Sequence, residues 1–237
     1  MNTPTAGVPV ALVTGANKGI GLETARRLVE ASYRVYLGAR NPELGKSAAD
    51  RIGAQFLEVD VTSQESVDRA AETVEQTDGH LDVLVNNAGV TGPIAEAKDY
   101  TADDAATVLL TNVVGYVRVI HAFLPLLERS TDPRIVNVSS GLGSFGLFHD
   151  DSRIESRFGS PLYAASKAGI NMLTARYARL LPHIRINTAD PGMTATDLSS
   201  GQGHSVHDGT DAIIAYALAA PGSVSGTFRD RDGDLPW

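Results

Sequence analysis

Two side chains with complementary chemistry, Tyr163 and Lys167, stand four residues apart in a stretch with helical spacing. Residues four apart lie on the same face of a helix, so the phenol and the ammonium group should be neighbours. A free tyrosine titrates at about pH 10, and a nearby positive charge favours the phenolate and lowers its pKa. The spacing therefore predicts a general acid–base pair, with Tyr163 as proton donor or acceptor and Lys167 as the residue that lowers its pKa.

Hydroxyl and amide side chains occur at two further places where they could assist such a pair. Ser139 and Ser140 close a strand-like run, and a hydroxyl there could bind a substrate oxygen and stabilise the charge that develops on it. The residue types leave open which serine has that role and which one only caps the strand. Asn112 lies within a long helical stretch, where asparagine is a poor helix former and so indicates a specific purpose.

A glycine-rich loop follows the first strand-like run of the chain. Gly15, Gly19 and Gly21 stand between aliphatic and β-branched residues at 10–14 and the start of a helical pattern. Glycines let a backbone approach a diphosphate closely, and free N–H groups at a helix N-terminus attract an anion. Three glycines could also form only a tight turn, but the order of strand, loop and helix favours a dinucleotide-binding site.

The elements that must position these residues alternate along the chain. Strand-like runs occur at residues 10–14, 34–38, 55–59, 83–86, 134–139, 184–188 and 226–228. Helical spacing occurs at residues 21–31, 63–76, 103–127 and 162–181. This alternation predicts an α/β fold of the Rossmann type, doubly wound, with a mostly parallel seven-stranded sheet and helices on both faces.

The chain lacks a Pro- or Ser-rich linker, so we expect a single domain over residues 1–237. Two segments rich in Gly and Ser, residues 141–161 and 197–208, follow strands late in the chain. Ligands of open α/β sheets bind at the carboxyl ends of the strands. These two segments are therefore predicted to be loops over the substrate.

Composition and charge exclude several other classes of protein. The 237 residues carry a formal net charge of −8 at pH 7, which disfavours nucleic acid or an anionic membrane as a partner. The absence of cysteine excludes disulfides, zinc–thiolate sites and cysteine nucleophiles. Residues 1–9 do not have the pattern of a signal peptide, and the longest aliphatic run, residues 212–220, is too short to span a bilayer. These features predict a soluble, cytoplasmic protein.

Six motifs occur in the order typical of the short-chain dehydrogenase/reductase family, which the sequence resembles over roughly residues 8–228. They include T-G-x-x-x-G-I-G at 14–21, N-N-A-G at 86–89, Y-x-x-x-K at 163–167 and P-G at 191–192. The segment between Ser140 and Tyr163 is longer than typical members have and resembles the carbonyl reductase branch, where an insertion can cover the surface for subunit pairing. The resemblance implies a homo-oligomer, either a dimer or a tetramer, rather than a monomer. Because of this insertion, a monomer remains the alternative.

The resemblance also implies roles for the residues at matching positions. The implied catalytic residues are Asn112, Ser140, Tyr163 and Lys167. Ser140 rather than Ser139 would hold the substrate oxygen, Lys167 would also hold the nicotinamide ribose, and Asn112 would complete a water-linked proton route. The implied cofactor-binding residues are Gly15, Asn17, Lys18, Gly19, Ile20, Gly21, Arg40, Asp60, Val61, Asn87, Ala88, Gly89, Tyr163, Lys167, Pro191, Gly192, Thr194 and Thr196.

The end of the second strand-like run indicates which cofactor binds. An NAD site usually places an acid there for the ribose 2′-hydroxyl, whereas an NADP site supplies cations for the 2′-phosphate. Here Ala39 stands where the family carries that acid, Arg40 follows it, and Lys18 lies in the glycine loop. The alternative is that Arg40 and Lys18 are two solvated surface cations. We expect NADP(H).

Apolar residues around the expected site suggest a substrate pocket. The predicted substrate-binding residues are Ile94, Ser140, Phe145, Phe148 and Met193, with Val90 and Leu147 nearby. The alternative is that the loop residues only pack the loop onto the body of the protein. No metal is expected, because the adjacent residues His149, Asp150 and Asp151 rarely converge on one ion.

The sequence thus predicts an NADPH-dependent oxidoreductase that reduces a ketone or aldehyde to an alcohol. Hydride transfer to carbon places negative charge on oxygen, so a proton donor such as Tyr163 must be ready. One alternative is a non-catalytic NADP(H)-binding sensor on the same fold, because a fold does not fix a function. Another is an epimerase or dehydratase of the same family that uses transient oxidation.

Overall fold

The computed structural model describes residues 7–237. The predicted lack of a signal peptide concerns residues 1–9, of which residues 1–6 lie outside the described residues. The strands are β1 Val10–Thr14, β2 Arg34–Ala39, β3 Gln55–Glu58, β4 Val83–Asn86, β5 Arg134–Val138, β6 Arg185–Ala189 and β7 Phe228–Arg229. They form one sheet in the order β3-β2-β1-β4-β5-β6-β7, with parallel pairing between neighbours. Every predicted strand overlaps an observed one, and the predicted doubly wound fold is confirmed.

Helices cover both faces of this sheet. They are α1 Gly19–Glu30, α2 Pro42–Ile52, α3 Gln64–Thr77, α4 Ala102–Leu109, α5 Gly115–Leu127, α6 Phe145–Phe148, α7 Pro161–Leu180, α8 Val206–Gly209 and α9 Asp211–Ala217. Consecutive residues of a strand point to opposite faces, and β1 shows the result. Val13 packs in a cluster with Leu28 of α1, whereas Leu12 packs on the other side with Val67 of α3 and Phe123 of α5.

Helices α4 and α5 are continuous through a π-helical turn, Leu110–Val114. In the described residues this is the one helix, Ala102–Leu127, that is long and apolar enough to cross a membrane, by length and composition alone. The aliphatic run at 212–220, which is too short to span a bilayer, lies elsewhere in the chain. Part of this helix is core, because Val119, Ile120 and Phe123 are buried against the sheet.

Local signals explain a helix that periodicity did not predict. Helix α2 begins after Asn41, whose side chain accepts a hydrogen bond from the Leu44 N–H at 3.0 Å, and it has Pro42 in its first turn. It ends at Gly53, which has the left-handed conformation (φ 74°) that favours glycine. The predicted loop at 141–161 contains the short helix α6 and 3₁₀ turns. The single-domain extent over residues 1–237 stays a prediction.

Candidate active site

The glycine loop lies between β1 and α1, and close backbone packing explains its glycines. A Cβ on Gly21 would lie 2.5 Å from Asn87 Nδ2, and one on Gly15 (φ 64°) would lie 2.8 Å from the Cα of Ala88. Larger residues would push these segments apart. Lys18, at the N-cap of α1, makes no side-chain hydrogen bond to the helix, so the first-turn N–H groups of α1 are left to a ligand.

The segment after β4 supports this loop through direct hydrogen bonds. The Thr14 hydroxyl accepts from the N–H groups of Asn87 (3.0 Å) and Ala88 (3.2 Å). In return, Asn87 Nδ2 donates to the carbonyl oxygens of Thr14 (2.8 Å) and Gly15 (3.2 Å). The N-N-A-G motif therefore fixes the shape of the glycine loop.

Tyr163 and Lys167 lie together on the first turns of α7, as their spacing predicts. Lys167 Nζ is 5.3 Å from the centroid of the Tyr163 ring. The same amine donates to the carbonyl oxygen of Val138, at the end of β5, over 2.9 Å. Tyr116 of α5 donates its hydroxyl to that carbonyl over 3.0 Å. One carbonyl thus holds the lysine and a second tyrosine beside the expected acid–base pair.

The electrostatics of this pair differ from the expectation. Burial raises the pKa of Tyr163, and the negative charge of Asp190 raises it further. Burial also lowers the pKa of Lys167 to about 8, against the opposing effect of Asp190. Burial outweighs any effect of Lys167 on the Tyr163 pKa in this structure, and sequence spacing does not reveal how completely water is excluded. The lowering of the Tyr163 pKa by Lys167 stays a prediction.

The two adjacent serines have different environments. Ser139 is 2% exposed, and its hydroxyl donates to the backbone carbonyl of Lys167 at 3.3 Å. Ser140 is half-buried at the start of a 3₁₀ turn, where its hydroxyl accepts from the Leu142 N–H at 3.2 Å. The hydroxyl of Ser140 retains its own proton for a further partner, so its position favours the choice of Ser140.

Asn112 lies within the π-helical turn and is fully buried. Its Oδ1 accepts from the Val90 N–H at 2.8 Å, and its Nδ2 donates to the Val90 carbonyl at 2.8 Å and to the Ser166 hydroxyl at 2.9 Å. A Cβ on Gly89 would be 3.4 Å from Asn112 Oδ1. Asn112 therefore joins the N-N-A-G segment to the catalytic helix, a reason for an asparagine inside a helix.

The two cations predicted for the 2′-phosphate are both exposed. Arg40 is exposed directly after Ala39 at the end of β2. Lys18 is also exposed, and its Nζ lies 2.5 Å from Asp197 Oδ2. The structure therefore gives Lys18 a carboxylate partner that sequence reasoning did not include.

The other predicted cofactor residues line the same edge of the sheet. Asn17 and Ile20 are half-buried in the loop and the first turn of α1. The Asp60 carboxylate, after β3, accepts from the N–H (2.9 Å) and the hydroxyl (2.7 Å) of Thr62. Val61 is buried and packs against α5.

The Pro-Gly motif follows β6 and turns back towards the glycine loop. Gly192 has φ 64°, and the buried Thr194 donates its hydroxyl to the Pro191 carbonyl at 3.0 Å. Thr196 Cγ2 would be 3.4 Å from a Cβ on Gly19. Thr196 thus faces the glycine loop, whereas the hydroxyl of Thr194 is used within its own turn.

The predicted substrate-binding residues are mostly exposed. Ile94 is 88% exposed, Phe145 69%, Phe148 53% and Met193 37%. By contrast, Leu147 is 6% exposed and packs α6 onto the body of the protein. Within residues 7–237, no group of three His, Cys, Asp or Glu side chains is arranged to hold a metal ion.

The sequence profile described as "short chain dehydrogenase" matches residues 9–206 of this chain. The chain belongs to the short-chain dehydrogenase/reductase family. It is 33% identical to a short-chain dehydrogenase of Penicillium roqueforti, over 96% of this chain and 96% of that protein. It is 31% identical to (-)-isopiperitenone reductase of Mentha piperita, over 95% of this chain and 97% of that protein. The crystal structure of an NADPH-bound carbonyl reductase from chicken fatty liver superimposes with a TM-score of 0.85 at 27% identity, covering 97% and 99% of the two chains.

Family membership makes the protein an oxidoreductase that binds an NAD(P) cofactor and a small-molecule substrate. Its reductase relatives support the reduction of ketones in general. The cofactor preference, the catalytic roles and the assembly state remain predictions.

Two buried residues of this short-chain dehydrogenase/reductase escaped sequence reasoning. Tyr116 shares the Val138 carbonyl with Lys167, and Asp190 lies 6% exposed at the end of β6. Tyr116 could have been found from its spacing, because it stands four residues after Asn112 on the same helix face. Asp190 offered a signal too, since an acid directly before Pro191 at a strand end is placed at the ligand edge of the sheet.

Proposed function

We propose that this short-chain dehydrogenase/reductase is an NADPH-dependent reductase of ketones or aldehydes, with Tyr163 as the proton donor. The observation that carries the proposal is the pairing of Tyr163 and Lys167 beside Ser140 at the carboxyl edge of the sheet, next to a glycine loop. Carbonyl reduction by a dinucleotide requires a proton donor and a loop that binds the diphosphate of the cofactor.

The residues present fit a dinucleotide. Gly15 and Gly21 pack against the N-N-A-G segment and fix the shape of the loop, and the N-terminus of α1, which has no side-chain cap, opens at this loop. Bound NADPH would supply the hydride. Gly19 and the first turn of α1 would hold its diphosphate, and Lys167 would leave the Val138 carbonyl to hold the ribose.

The chain's own residues then account for the proton. The Tyr163 phenol is protonated at neutral pH, as an ordinary tyrosine is, so its O–H can donate to the carbonyl oxygen. The Ser140 hydroxyl would donate a second hydrogen bond to that oxygen as charge develops. Asn112 fixes the segment beside the site through its two bonds to Val90 and would support the proton route to Lys167.

NADPH is proposed over NADH because of the residues at the end of β2. An exposed guanidinium at Arg40 follows Ala39, where an acid for a 2′-hydroxyl would otherwise stand. The relation to an NADPH-bound carbonyl reductase supports the same choice.

The substrate is proposed to be a largely apolar carbonyl compound. Ile94, Phe145, Phe148 and Met193 expose apolar surface around the site, and exposed apolar patches mark binding surfaces. A relative named for isopiperitenone, (-)-isopiperitenone reductase, supports this class. Cytoplasmic location and a homo-oligomer remain part of the same proposal.

The test is consumption of NADPH with a panel of cyclic terpenoid ketones, aromatic ketones and aliphatic aldehydes. We expect turnover with at least one compound, and a loss in kcat/KM of about 100-fold or more in Tyr163→Phe. Tyr177→Phe, the same change further along α7, is the matched control and should retain activity. Tight NADPH binding without turnover would favour a sensor, and full activity in Tyr163→Phe would contradict the mechanism.

A further inference from the structure

Asp190 lies between the two loops that carry the expected serine and the Pro-Gly motif. Its Oδ1 accepts from the Gly192 N–H at 2.8 Å, and its own N–H donates to the Arg229 carbonyl of β7 at 2.8 Å. Its Oδ2 lies 3.0 Å from the point where a Cβ on Gly141 would stand. Because Gly141 directly follows Ser140, the carboxylate contacts both loops at once.

The inserted segment brings a second carboxylate to the same glycine. Glu155 Oε1 lies 2.7 Å from that Cβ position on Gly141, and the Glu155 side chain is 11% exposed. Arg153 donates to both oxygens of Glu155, at 3.1 Å and 3.2 Å. Gly141 is therefore flanked by two acids, and the segment between Ser140 and Tyr163 supplies one of them.

The charges around Asp190 come from three parts of the chain. Glu155 and Arg153 belong to the inserted segment, Asp230 follows β7, and Tyr163 and Lys167 lie on α7. Burial raises the pKa of the Asp190 carboxyl to about 6, opposed by the N–H groups of Gly192 and Gly141 and assisted by Asp230 and Glu155. In turn, the ionised carboxylate raises the pKa of both Tyr163 and Lys167.

We propose that Asp190 is a positioning residue for the reduction proposed above: its carboxylate holds the Ser140 loop against the Pro-Gly loop and places a negative charge facing the Tyr163–Lys167 pair. Glu155 completes the arrangement from the inserted segment. The inference rests on the proposed function. Its chemical consequence is that Lys167 stays an ammonium group, and Tyr163 a phenol, to higher pH than burial alone would allow.

The first test is the pH profile of kcat/KM for carbonyl reduction in Asp190→Asn. Asparagine keeps the size of the side chain and one acceptor oxygen for Gly192 but removes the charge. The alkaline limb should then move to lower pH by about one unit, because both pKa values fall when the negative charge is lost. Asp50→Asn, the same change at an exposed position on α2, should leave the profile unchanged.

The second test does not depend on activity. A carboxyl whose pKa is about 6 in the folded protein and 3.8 in the unfolded chain binds its proton more tightly when folded. Its contribution to stability is therefore present at low pH and is lost as the pH rises towards and through 6. The unfolding constant of the wild type relative to that of Asp190→Asn, from urea titrations, should rise about tenfold between pH 5 and pH 8.

The outcomes separate the two proposals. If the wild type consumes NADPH and the Asp190→Asn profile coincides with that of Asp50→Asn, the role of Asp190 is refuted while the proposed function stands. A uniform loss of activity at every pH, or a ratio of unfolding constants that does not change with pH, also refutes it. If the wild type reduces nothing in the panel, the proposed function fails, and the ratio of unfolding constants still decides whether a buried ionised carboxylate lies beside Gly141. The same pair of proteins, with and without Asp190→Asn, can also be compared in a Glu155→Gln background. There the ratio of unfolding constants should rise less between pH 5 and pH 8, because one of the charges that raise the pKa of Asp190 is gone.

Discussion

The cofactor side and the substrate side of this site are built in different ways. On the cofactor side, the glycine loop and the N-N-A-G segment touch through backbone atoms, and a Cβ on Gly21 would lie 2.6 Å from the Gly15 carbonyl oxygen. On the substrate side, short helices and turns present exposed apolar side chains such as Phe145. A Cβ on Gly159, in the inserted segment, would meet nothing within 4 Å.

This difference indicates where the chain tolerates substitutions. Backbone contacts at van der Waals distance leave no room for a new side chain, so the cofactor side is fixed by its glycines. Exposed side chains on surface segments can be replaced without disturbing the core, and such segments vary most among related proteins. We therefore expect that substitutions separate binding of the cofactor from choice of the substrate.

The largest effect is expected for Gly21→Ala. The new methyl group would meet Asn87 Nδ2 and the Gly15 carbonyl, which hydrogen-bond each other, so the loop must open. We expect a loss of NADPH affinity of about 100-fold or more and a destabilisation of about 1–3 kcal/mol, typical of overpacking. Fluorescence titration with NADPH and urea unfolding would measure both.

The matched control is Gly159→Ala, which adds the same methyl group on the substrate side. It should leave the NADPH affinity and the free energy of unfolding unchanged, because the position is open. Equal losses in the two variants would break the distinction between the two sides.

The second prediction separates packing from substrate contact within α6. Leu147→Ala removes a buried side chain and should lower the free energy of unfolding by about 2 kcal/mol. Phe145→Ala removes an exposed side chain and should change that free energy by no more than about 0.5 kcal/mol. If Phe145 contacts the substrate, its variant should instead raise KM several-fold.

Steady-state kinetics and urea unfolding of both variants would test this pair. An unchanged KM in Phe145→Ala would return Phe145 to the alternative considered from the sequence, a residue that only covers its own loop. A loss of stability in Phe145→Ala as large as that in Leu147→Ala would contradict the distinction between an exposed substrate contact and a buried packing residue.

The sequence predicted best what local patterns encode. The strands from β1 to β6 are short aliphatic runs, and the pairing of Tyr163 with Lys167 follows from helical geometry alone. The glycine loop could be predicted because its strand, turn and helix follow one another directly in the sequence. In each case the residues that interact are close in the sequence or repeat with a fixed period.

What the sequence did not predict depends on tertiary structure. Lys18 and Asp197 meet across the loop although they are far apart in the chain, and Glu155 reaches Gly141 only because the inserted segment folds back. The raised pKa of Tyr163 reflects burial by several elements, and no spacing rule reports burial. Long-range contacts and the exclusion of water are therefore the part that required a structure.

The third prediction tests the cofactor preference through Arg40→Ala. Removing the guanidinium should weaken NADPH binding about tenfold and leave NADH binding nearly unchanged, because only NADPH carries the 2′-phosphate. Arg51→Ala, at an exposed position near the end of α2, is the control for loss of a surface charge. Equal losses for the two cofactors, or for the two variants, would contradict the assignment.

The smallest effect is expected for Asp197→Asn, which tests how the two sides of the site communicate. Lys18 belongs to the glycine loop, Asp197 follows the Pro-Gly motif, and their ion pair is exposed. Exposed pairs are weak, so release of Lys18 should strengthen NADPH binding by only about twofold, without changing NADH binding. Added salt screens such exposed charges, so the difference between variant and wild type should fade as ionic strength rises. An NADPH affinity that falls in Asp197→Asn would instead show that the pair holds the loop in its binding conformation, and the two sides would then be less independent than their packing indicates.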